Sequence, residues 1–168
     1  MVLSTLCASP CGDICLTSDG THLTGLYFSD DAFLRRVFQE GTWQRQDDLA
    51  LFHRARTLLT AYFSGEKPNF LDLPLGLKAT PFQRSVYEQL LAIPYGHCTS
   101  YGEIAKKLCL REGKTQMSAQ AVGGACGRNP LAIIIPCHRV VGCSGALTGY
   151  RGGLERKRFL LRLEGCQC

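Results

Sequence analysis

The chain has 168 residues, 45% of them hydrophobic and 20% charged, which is long enough to bury a core as one or two small domains. No stretch approaches the ~18 apolar residues of a membrane-spanning helix, and the N-terminus lacks a signal-peptide pattern. We therefore expect a soluble intracellular protein with no membrane partner. Residues 1–76 hold six Lys/Arg and nine Asp/Glu, whereas residues 77–168 hold thirteen and five. This basic half indicates a polyanionic partner for the C-terminal part.

The N-terminal part predicts short strands followed by a helix. A hairpin is expected to turn at Asp19-Gly20, where the dipeptide suits a tight turn between two strands. Apolar residues recur at helical spacing from Leu51 to Tyr62, with Asp47 or Asp48 as the predicted N-cap. Proline and glycine mark residues 71–76 as a linker.

The C-terminal part predicts three helices in succession. Thr80-Pro81 opens the first, because a hydroxyl N-cap followed by proline is a typical helix start. Ser100 and Glu103 fit a capping box that opens a helix over 101–108, and a further helix is predicted over 117–127. The last two resemble a helix-turn-helix. The final helix is rich in glycine and alanine, which indicates close approach either to the neighbouring helix or to a binding partner.

The fold class that follows is α/β (α+β). Residues 1–76 are predicted to form a small, strand-rich N-terminal α/β domain. Residues 77–168 are predicted to form a mostly helical domain with the helix-turn-helix and a short active-site strand. That strand is expected within the apolar, β-branched run 131–141.

Reactive residues interrupt this apolar run. Pro136 removes a backbone donor and is expected to end the strand pairing. Cys137 could be an inert core thiol, but His138 and Arg139 are positive neighbours of the kind that stabilise a thiolate. Since successive side chains of a strand point to opposite faces, His138 would reach Cys137 only around a bend or through a water.

The ten cysteines also allow a disulfide or metal interpretation. Substantial apolar runs and the missing export signal favour reduced thiols. Cys7, Cys11 and Cys15 recur every four residues, but a proline and a glycine interrupt any helix there, and no histidine has ligand spacing. We predict no metal and no cofactor. Cys166 and Cys168, near the end of the chain, are open to oxidation.

The string PCHRVV around Cys137 resembles the active-site motif of the O6-alkylguanine-DNA alkyltransferases, the methylated-DNA–protein-cysteine methyltransferases. Further motifs stand in the order of that family, so the C-terminal half resembles it closely, and the N-terminal half resembles its smaller, more variable domain. These motifs are TPFQ at 80–83, IPYG at 93–96, SYGEIA at 100–105, AVGGA at 121–125, LTGYRGG at 147–153 and LLRLEG at 160–165.

The resemblance implies direct-reversal DNA repair. Such a protein flips O6-alkylguanine out of the duplex and irreversibly transfers the alkyl group to Cys137, once per molecule; O4-alkylthymine is left open as a substrate. His138 would draw the thiol proton through water, and Glu164 would orient and polarise that histidine. Tyr101 would donate toward the purine. Tyr101 as a packing residue and Glu164 as a solvated helix charge remain alternatives.

The resemblance also implies a set of substrate-binding residues. Asn129 would hold the turn beneath the active-site strand, and the carbonyls of the acceptor cysteine and Val140 would read the guanine edge. Tyr150, Arg151 and Gly152 would lie in the loop over the guanine pocket, with Tyr150 as an apolar wall. Arg151 stands where small or polar residues are common, which bears on the size of the adduct accepted.

The glycine-rich helix is implied to dock in the minor groove of double-stranded DNA with little sequence readout. The protein is expected to be a monomer, with cooperative binding along DNA left open. Gln120 replaces an arginine that fills the gap left by the flipped base, so it would act as a neutral wedge, with Arg111, Lys114 or Arg128 supplying phosphate charge. The implied DNA-binding residues are Tyr101, Gln120, Ala121, Gly123, Gly124, Ala125 and Arg128.

Three other functions remain open. A lesion sensor would bind without transferring, but such relatives lack the acceptor cysteine. A Cys-His hydrolase would need its base and nucleophile on separate elements. A plain helix-turn-helix regulator would carry long polar readers on its recognition helix. Arg139 is expected to be a structural ion-pair residue joining the two domains, and the protein is expected in the cytoplasm at the nucleoid, or in a eukaryotic nucleus.

Overall fold

The computed structural model describes residues 1–166, and the side chains of all of these except residues 33, 37 and 40. The chain folds into two compact units. One comprises residues 1–78 and 130–134, and the other comprises residues 79–129 and the chain from residue 135 onward. The first unit combines a four-stranded sheet with helices, and the second is mostly helical, which confirms the predicted mixed α/β class.

The first unit contains a four-stranded sheet and two helices. Their bounds are β1 Val2–Cys7, β2 Ile14–Ser18, β3 Leu23–Phe28, α1 Ala32–Glu40, β4 Trp43–Arg45 and α2 Ala50–Phe63. The strand order is β3-β2-β1-β4. β2 is antiparallel to both β1 and β3, while β4 joins β1 in parallel. Every residue of β2 is buried, as expected for a central strand.

The predicted hairpin is confirmed. β2 and β3 pair as antiparallel strands around the turn, and Gly20 has φ of 102°, a left-handed conformation that glycine adopts without strain. The Asp19 carboxylate accepts the backbone N–H groups of Thr21 and His22 at 2.9 and 2.7 Å. The local sequence therefore specifies this turn through both of its residues.

The predicted cap of α2 is wrong. The N-cap is Leu49, and no side chain caps this helix. The carboxylate of Asp47 accepts hydrogen bonds from Thr5 and Arg45 at 2.5 and 2.7 Å instead. Contacts with residues distant in sequence thus compete with the local capping signal.

Residues 71–76, which the sequence predicted to be a linker, are hydrogen-bonded to the first residue of β3. The Leu23 N–H donates to the Pro74 carbonyl at 2.8 Å, and the Gly76 N–H donates to the Leu23 carbonyl at 2.9 Å. These bonds hold the segment along β3, so it completes the first unit rather than forming a free connection.

The predicted strand over residues 131–141 is wrong for most of its length. Leu131 forms a single isolated bridge with Leu26. Ile133 then adopts a left-handed conformation with φ of 70°, which ends the extended run. Pro136 contributes no N–H to a ladder. The chain therefore passes through tight turns before it reaches the cysteine.

The second unit is mostly helical. Its elements are α3 Pro81–Leu91, β5 Thr99–Ser100, α4 Tyr101–Arg111, α5 Ala119–Gly127, β6 Val140–Val141 and α6 Leu154–Leu163. α3, α4 and α5 pack against one another. Both predicted helix starts are confirmed, because Thr80 with Gln83 and Ser100 with Glu103 form complete capping boxes.

Cys98 and Cys166 form a disulfide, with their Cα atoms 6.9 Å apart. The prediction of reduced thiols is therefore wrong for this pair, whereas Cys168 lies outside the described residues. Within residues 1–166, no three His, Cys, Asp or Glu side chains are grouped to hold a metal ion. Over the same residues, no helix has both the length and the apolar character needed to cross a bilayer.

Candidate active site

A two-stranded ladder brings the start of α4 to the predicted acceptor cysteine. β5 pairs with β6 in parallel. Ser100 is both the last residue of β5 and the N-cap of α4. Val140, the first residue of β6, directly follows the 3-10 turn Cys137–Arg139. The ladder therefore places Tyr101, the first residue of α4, on the same cavity as Cys137.

The cysteine lies on a turn rather than on a strand. In a 3-10 turn successive side chains are about 120° apart, so Cys137 and His138 do not point to opposite faces. Pro136 immediately precedes this turn and has ψ of 62°, outside the extended range. The bend that the sequence required for a Cys-His pair is thus present.

The Cys137 thiol is buried and hydrogen-bonded. The Asn129 side-chain amide donates to Sγ at 3.3 Å and to the Ile135 carbonyl at 2.8 Å. Burial raises the pKa of the Cys137 thiol, against the opposing effects of the Asn129 hydrogen bond and of the Arg151 and Lys157 charges. The resting group is therefore a thiol that needs a base before it can act as a nucleophile.

The base and its carboxylate partner form a fully buried pair. His138 Nε2 and Glu164 Oε1 are 2.7 Å apart, and both side chains are 0% exposed. Arg139 donates to both oxygens of this carboxylate, from Nε at 2.8 Å and from Nη2 at 3.0 Å. Burial alone would raise the pKa of Glu164, but the hydrogen bonds and charges of His138 and Arg139 together lower it. Glu164 is therefore a buried carboxylate and not a solvated helix charge.

Arg139 has a different role from the one expected. Besides Glu164, its guanidinium donates to the Ile93 carbonyl at 2.7 Å and lies 5.8 Å from the Tyr95 ring centroid. These partners all belong to the second unit. The expectation that Arg139 joins the two domains is therefore wrong, because its charge neutralises a carboxylate within its own unit.

The other imidazole nitrogen is available as a proton acceptor. Since the Glu164 carboxylate can only accept, Nε2 of His138 carries the proton of their hydrogen bond. Burial lowers the pKa of His138 despite the raising effect of Glu164, so the ring is neutral. Among the residues that the structure describes, Nδ1 has no hydrogen-bond partner. This nitrogen is therefore free to accept a proton.

Tyr101 supplies a hydroxyl donor to the cavity. Its hydroxyl donates to the carbonyls of Thr148 and Gly149 at 3.2 and 3.4 Å. Burial raises the pKa of Tyr101 to about 12, so the group stays protonated at neutral pH. Tyr101 therefore presents a protonated hydroxyl at the cavity wall, where it is bonded to the loop that holds Thr148 and Gly149.

Lys157 belongs to the site and was missed from the sequence. Its side chain is completely buried. Nζ donates to the carbonyls of Val140, Thr148 and Gly149 at 2.5, 3.1 and 3.3 Å. Its signal in the sequence was a lysine at helical spacing from Leu160, on the buried face of α6.

A cavity of about 800 Å³ is lined by both Cys137 and Tyr101. Cys126 and Cys143 also line it, but burial raises the pKa of Cys126 to about 12, which keeps that thiol protonated. The predicted site residues that line the cavity are Tyr101, Gln120, Gly123, Gly124, Cys137, Tyr150 and Arg151.

A second groove of about 700 Å³ lies along the start of α3 and α5, and Gln120 and Gly124 line both spaces. Ala121 and Arg128 are exposed there. Ala125 also lines the groove but is only 3% exposed, so α5 turns most of this residue toward the core. Gly152 lines neither space, and its carbonyl accepts from the Arg156 side chain at 3.1 Å.

The charged residues near α5 differ in their pairing. Arg111 pairs with Glu88 at 2.9 Å, and Lys114 pairs with Glu112 at 2.6 Å. Arg128 is the C-cap residue of α5 and is exposed. Within residues 1–166, no ion pair neutralises Arg128, unlike the other two predicted phosphate contacts.

The site combines the packed helices α4 and α5 with a cavity lined by a buried cysteine and a hydroxyl donor, and a neutral histidine follows that cysteine in the chain. This is the arrangement of a protein with a cysteine-based site beside a helix pair. The family model of the 6-O-methylguanine DNA methyltransferase DNA binding domain matches residues 81–166, and that of the ribonuclease-like domain matches residues 2–77. The chain belongs to the methylated-DNA–protein-cysteine methyltransferase family, and is a DNA repair protein that transfers an alkyl group from DNA to a protein cysteine.

Individual relatives agree with this membership. The methylated-DNA–protein-cysteine methyltransferase of Haemophilus influenzae is 40% identical over 93% of this chain and 82% of its own length. That of Mycobacterium bovis is 45% identical, over 93% and 88%. The crystal structure of Mycobacterium tuberculosis O6-methylguanine methyltransferase has a TM-score of 0.84 and 44% identity, covering 98% of this chain and 93% of that one. Mycobacterium tuberculosis OGT in complex with DNA has a TM-score of 0.82 and 42% identity, covering 98% and 92%.

Proposed function

We propose that Cys137 is the alkyl acceptor and that O6-alkylguanine is the group it repairs. The observation that carries this proposal is the position of the thiol. It lines the 800 Å³ cavity, and the next residue in the chain is a neutral histidine held by a buried carboxylate. This is the arrangement of an activated nucleophile, with a base and a group that orients the base.

The transfer follows from these contacts. His138 Nδ1 takes the thiol proton of Cys137, directly or through a water. Sγ then attacks the alkyl carbon, the carbon–O6 bond breaks, and its electron pair stays on the guanine. Tyr101 donates a hydrogen bond to the purine as this negative charge develops, and protonation restores guanine. The thioether formed has no route back through the groups of this site, so each molecule acts once.

We propose the second unit as the DNA-binding and alkyl-transfer domain and the first as structural. A target base must leave the duplex to reach Sγ, because Cys137 is buried. α5 supports minor-groove docking, since its exposed Ala121 and Gly124 let the backbone approach closely. Gln120 at the start of α5 would fill the gap left by the base, with Arg128 contacting phosphate. The protein would bind DNA as a monomer, in the compartment that holds the genome.

Mass analysis of one tryptic peptide tests the acceptor. The protein is mixed with a duplex carrying O6-methylguanine and digested, and the peptide Asn129–Arg139 is weighed. Its single cysteine is Cys137, whereas Cys126 and Cys143 fall in other peptides. One added methyl, abolished by Cys137→Ser, is the expected result. An unmodified peptide from folded, DNA-bound protein would overturn the proposal and favour a lesion sensor.

A further inference from the structure

The disulfide between Cys98 and Cys166 joins two segments that border the site. Cys98 directly precedes β5, and β5 leads into α4. Cys166 lies two residues beyond Glu164, the carboxylate that pairs with His138. The bond therefore links the strand before α4 to the stretch of chain that carries the partner of the base.

Two hydrogen bonds join the same segments. The Tyr95 hydroxyl donates to the Leu163 carbonyl at 3.3 Å, and the Gly96 N–H donates to Oε2 of Glu164 at 3.3 Å. A methyl group at Gly96 would lie 3.0 Å from the Glu164 carbonyl oxygen, so the two backbones are in close contact. Both hydrogen bonds are long for their type. The covalent bond is therefore the strongest of these three links.

The position of Glu164 decides how the base is oriented. Its Oε1 lies 2.7 Å from Nε2 of His138, and Arg139 donates to both carboxylate oxygens. Glu164 is the C-cap residue of α6, and helix ends fray more readily than helix interiors. A covalent link at Cys166 opposes this fraying. The disulfide thus limits the movement of the carboxylate that holds the imidazole.

A reductant can reach the bond. Cys98 and Cys166 are both half-buried, and the adjacent His97 and Gly165 are exposed. In reduction by a dithiol, one thiolate of the reductant attacks a sulfur of the pair, the S–S bond breaks, and a mixed disulfide forms. The second sulfur of the reductant then displaces the protein sulfur. The protein gains two electrons and two protons as a pair of thiols, and the reductant leaves as a cyclic disulfide.

We propose that the Cys98–Cys166 disulfide is a redox-sensitive link that positions Glu164, so that alkyl transfer is faster in the oxidised protein than in the reduced protein. Neither cysteine lines the 800 Å³ cavity. Both are therefore positioning residues, which act through the carboxylate and the imidazole that it orients. This inference rests on the proposed transfer to Cys137.

Peptide mapping tests the bond itself. Free thiols of air-oxidised protein are blocked with N-ethylmaleimide before digestion with trypsin, which places Cys98 in peptide 85–106 and Cys166 in peptide 163–168. The second peptide also contains Cys168, so Cys168→Ser is mapped beside the wild type. The two peptides should be linked in both proteins and separated by dithiothreitol. Absence of the link from either protein overturns the proposal.

Single-turnover kinetics test the effect on the reaction. Transfer from a saturating duplex with O6-methylguanine is measured before and after reduction with dithiothreitol. Reduction should lower the rate constant by about tenfold, because a displaced catalytic group is costly, and should leave the Kd for DNA unchanged. Cys98→Ser should show the reduced rate under both conditions. Cys109→Ser is the control, since Cys109 is a free thiol whose hydrogen bond to the Lys114 carbonyl a hydroxyl can replace.

Glu164→Gln separates positioning from general support. If the disulfide acts through the carboxylate, reduction should not slow this variant further, whereas a purely structural link would slow it by the same factor as the wild type. Equal factors, or equal rates of oxidised and reduced wild type, overturn the proposal. Should Cys98→Ser fail to fold, reduction of the wild type decides. Methyl transfer by the oxidised wild type shows independently that the proposed function holds, and its absence from both forms would overturn both proposals.

Discussion

Nε2 of His138 and Oε1 of Glu164 are 2.7 Å apart, in a pair of side chains with no exposed surface. Glu164 is the C-cap residue of α6, whereas His138 lies on the turn after Pro136. The pair therefore joins the last helix to the turn that carries the thiol. Its geometry fixes which imidazole nitrogen carries the proton, and so which one can act as the base.

Replacing Glu164 by glutamine should slow transfer without removing the acceptor. The amide keeps the shape but not the charge that orients the imidazole, so we expect the single-turnover rate constant to fall by on the order of 10²-fold. Arg139 would lose its counter-charge, which should lower the free energy of unfolding by about 3 kcal/mol. Stopped-flow or quench measurements and urea unfolding check the two effects.

The matched control is Glu155→Gln on the same helix, where the side chain is 91% exposed. This variant should match the wild type in both measurements. A Glu164→Gln protein that reacts as fast as Glu155→Gln would show that the carboxylate is only structural.

The transfer rate should be insensitive to pH over a wide range. Burial lowers the pKa of His138 below its ordinary 6.5, so the neutral base persists into mildly acidic solution. The pKa of Tyr101, about 12, keeps the donor protonated in alkali. We therefore expect a constant single-turnover rate from pH 6.5 to pH 9, with the fall on the acid side beginning below 6.5. An acid midpoint above 6.5 would contradict this assignment of the base.

Acid should destabilise the fold in two stages. Both His138 and Glu164 have lowered pKa values in the folded protein. The unfolded chain therefore binds more protons, and stability is lost as pH falls. His138 contributes below its ordinary 6.5, and Glu164 below its ordinary 4.5. Urea unfolding at each pH measures the loss, which should be smaller below pH 4.5 for Glu164→Gln than for the wild type.

Lys157→Met should weaken both the fold and the site. The change removes the buried ammonium that the Val140, Thr148 and Gly149 carbonyls share. Leaving buried carbonyls without a donor costs about 2 kcal/mol of stability. Transfer should also slow, because the loop carbonyls of Thr148 and Gly149, which Tyr101 contacts, lose a hydrogen-bond donor. Chemical unfolding and single-turnover kinetics measure this. Arg158→Met, at an exposed position, is the comparison, and equal stability of the two variants would refute the role.

Gln120→Ala should distinguish a wedge from a simple surface residue. If the side chain fills the gap left by the flipped base, its loss should slow repair in duplex DNA much more than in single-stranded DNA, where no gap forms. Rates on the two forms of one O6-methylguanine oligonucleotide test this. Equal effects on both forms would rule out the wedge, and the exposed Ala121→Gly on the same helix controls for a general change in α5.

The elements that the sequence predicted correctly carry their own local signals. Ser100 and Glu103 mark the start of α4 through a capping box, and Asp19-Gly20 marks the hairpin. α1 and α6 were not predicted. α1 has neither acidic residues in its first turn nor basic ones in its last, and the N-cap residue of α6 is Gly153, which has no side chain to cap the helix. β4 is three residues long and depends on parallel pairing with β1, which no local pattern shows.

The site, like the fold, has some features that the sequence predicted and others that it did not. The reactive character of Cys137 could be anticipated from its neighbours His138 and Arg139, and the resemblance to the family placed Tyr101 in the same site, where both residues line one cavity. The bend at Pro136 was expected, but the turn at Ile133 before it was not. The apolar run predicted a strand there, and the left-handed conformation of Ile133 depends on tertiary context. Lys157 was missed since its partners are carbonyls, and carbonyls leave no trace in a sequence.

Residues 130–134 belong to the first unit, although in the chain they stand between Asn129 and the cysteine turn. Two backbone hydrogen bonds join them to Leu26. The Leu26 N–H donates to the Pro130 carbonyl at 2.8 Å, and the Ala132 N–H donates to the Leu26 carbonyl at 3.1 Å. A fragment starting at residue 79 would keep every predicted catalytic side chain but lose Leu26. The N-terminal 78 residues are therefore no detachable appendage, and a minimal repair protein cut from the helical half would release the segment that leads into its own nucleophile.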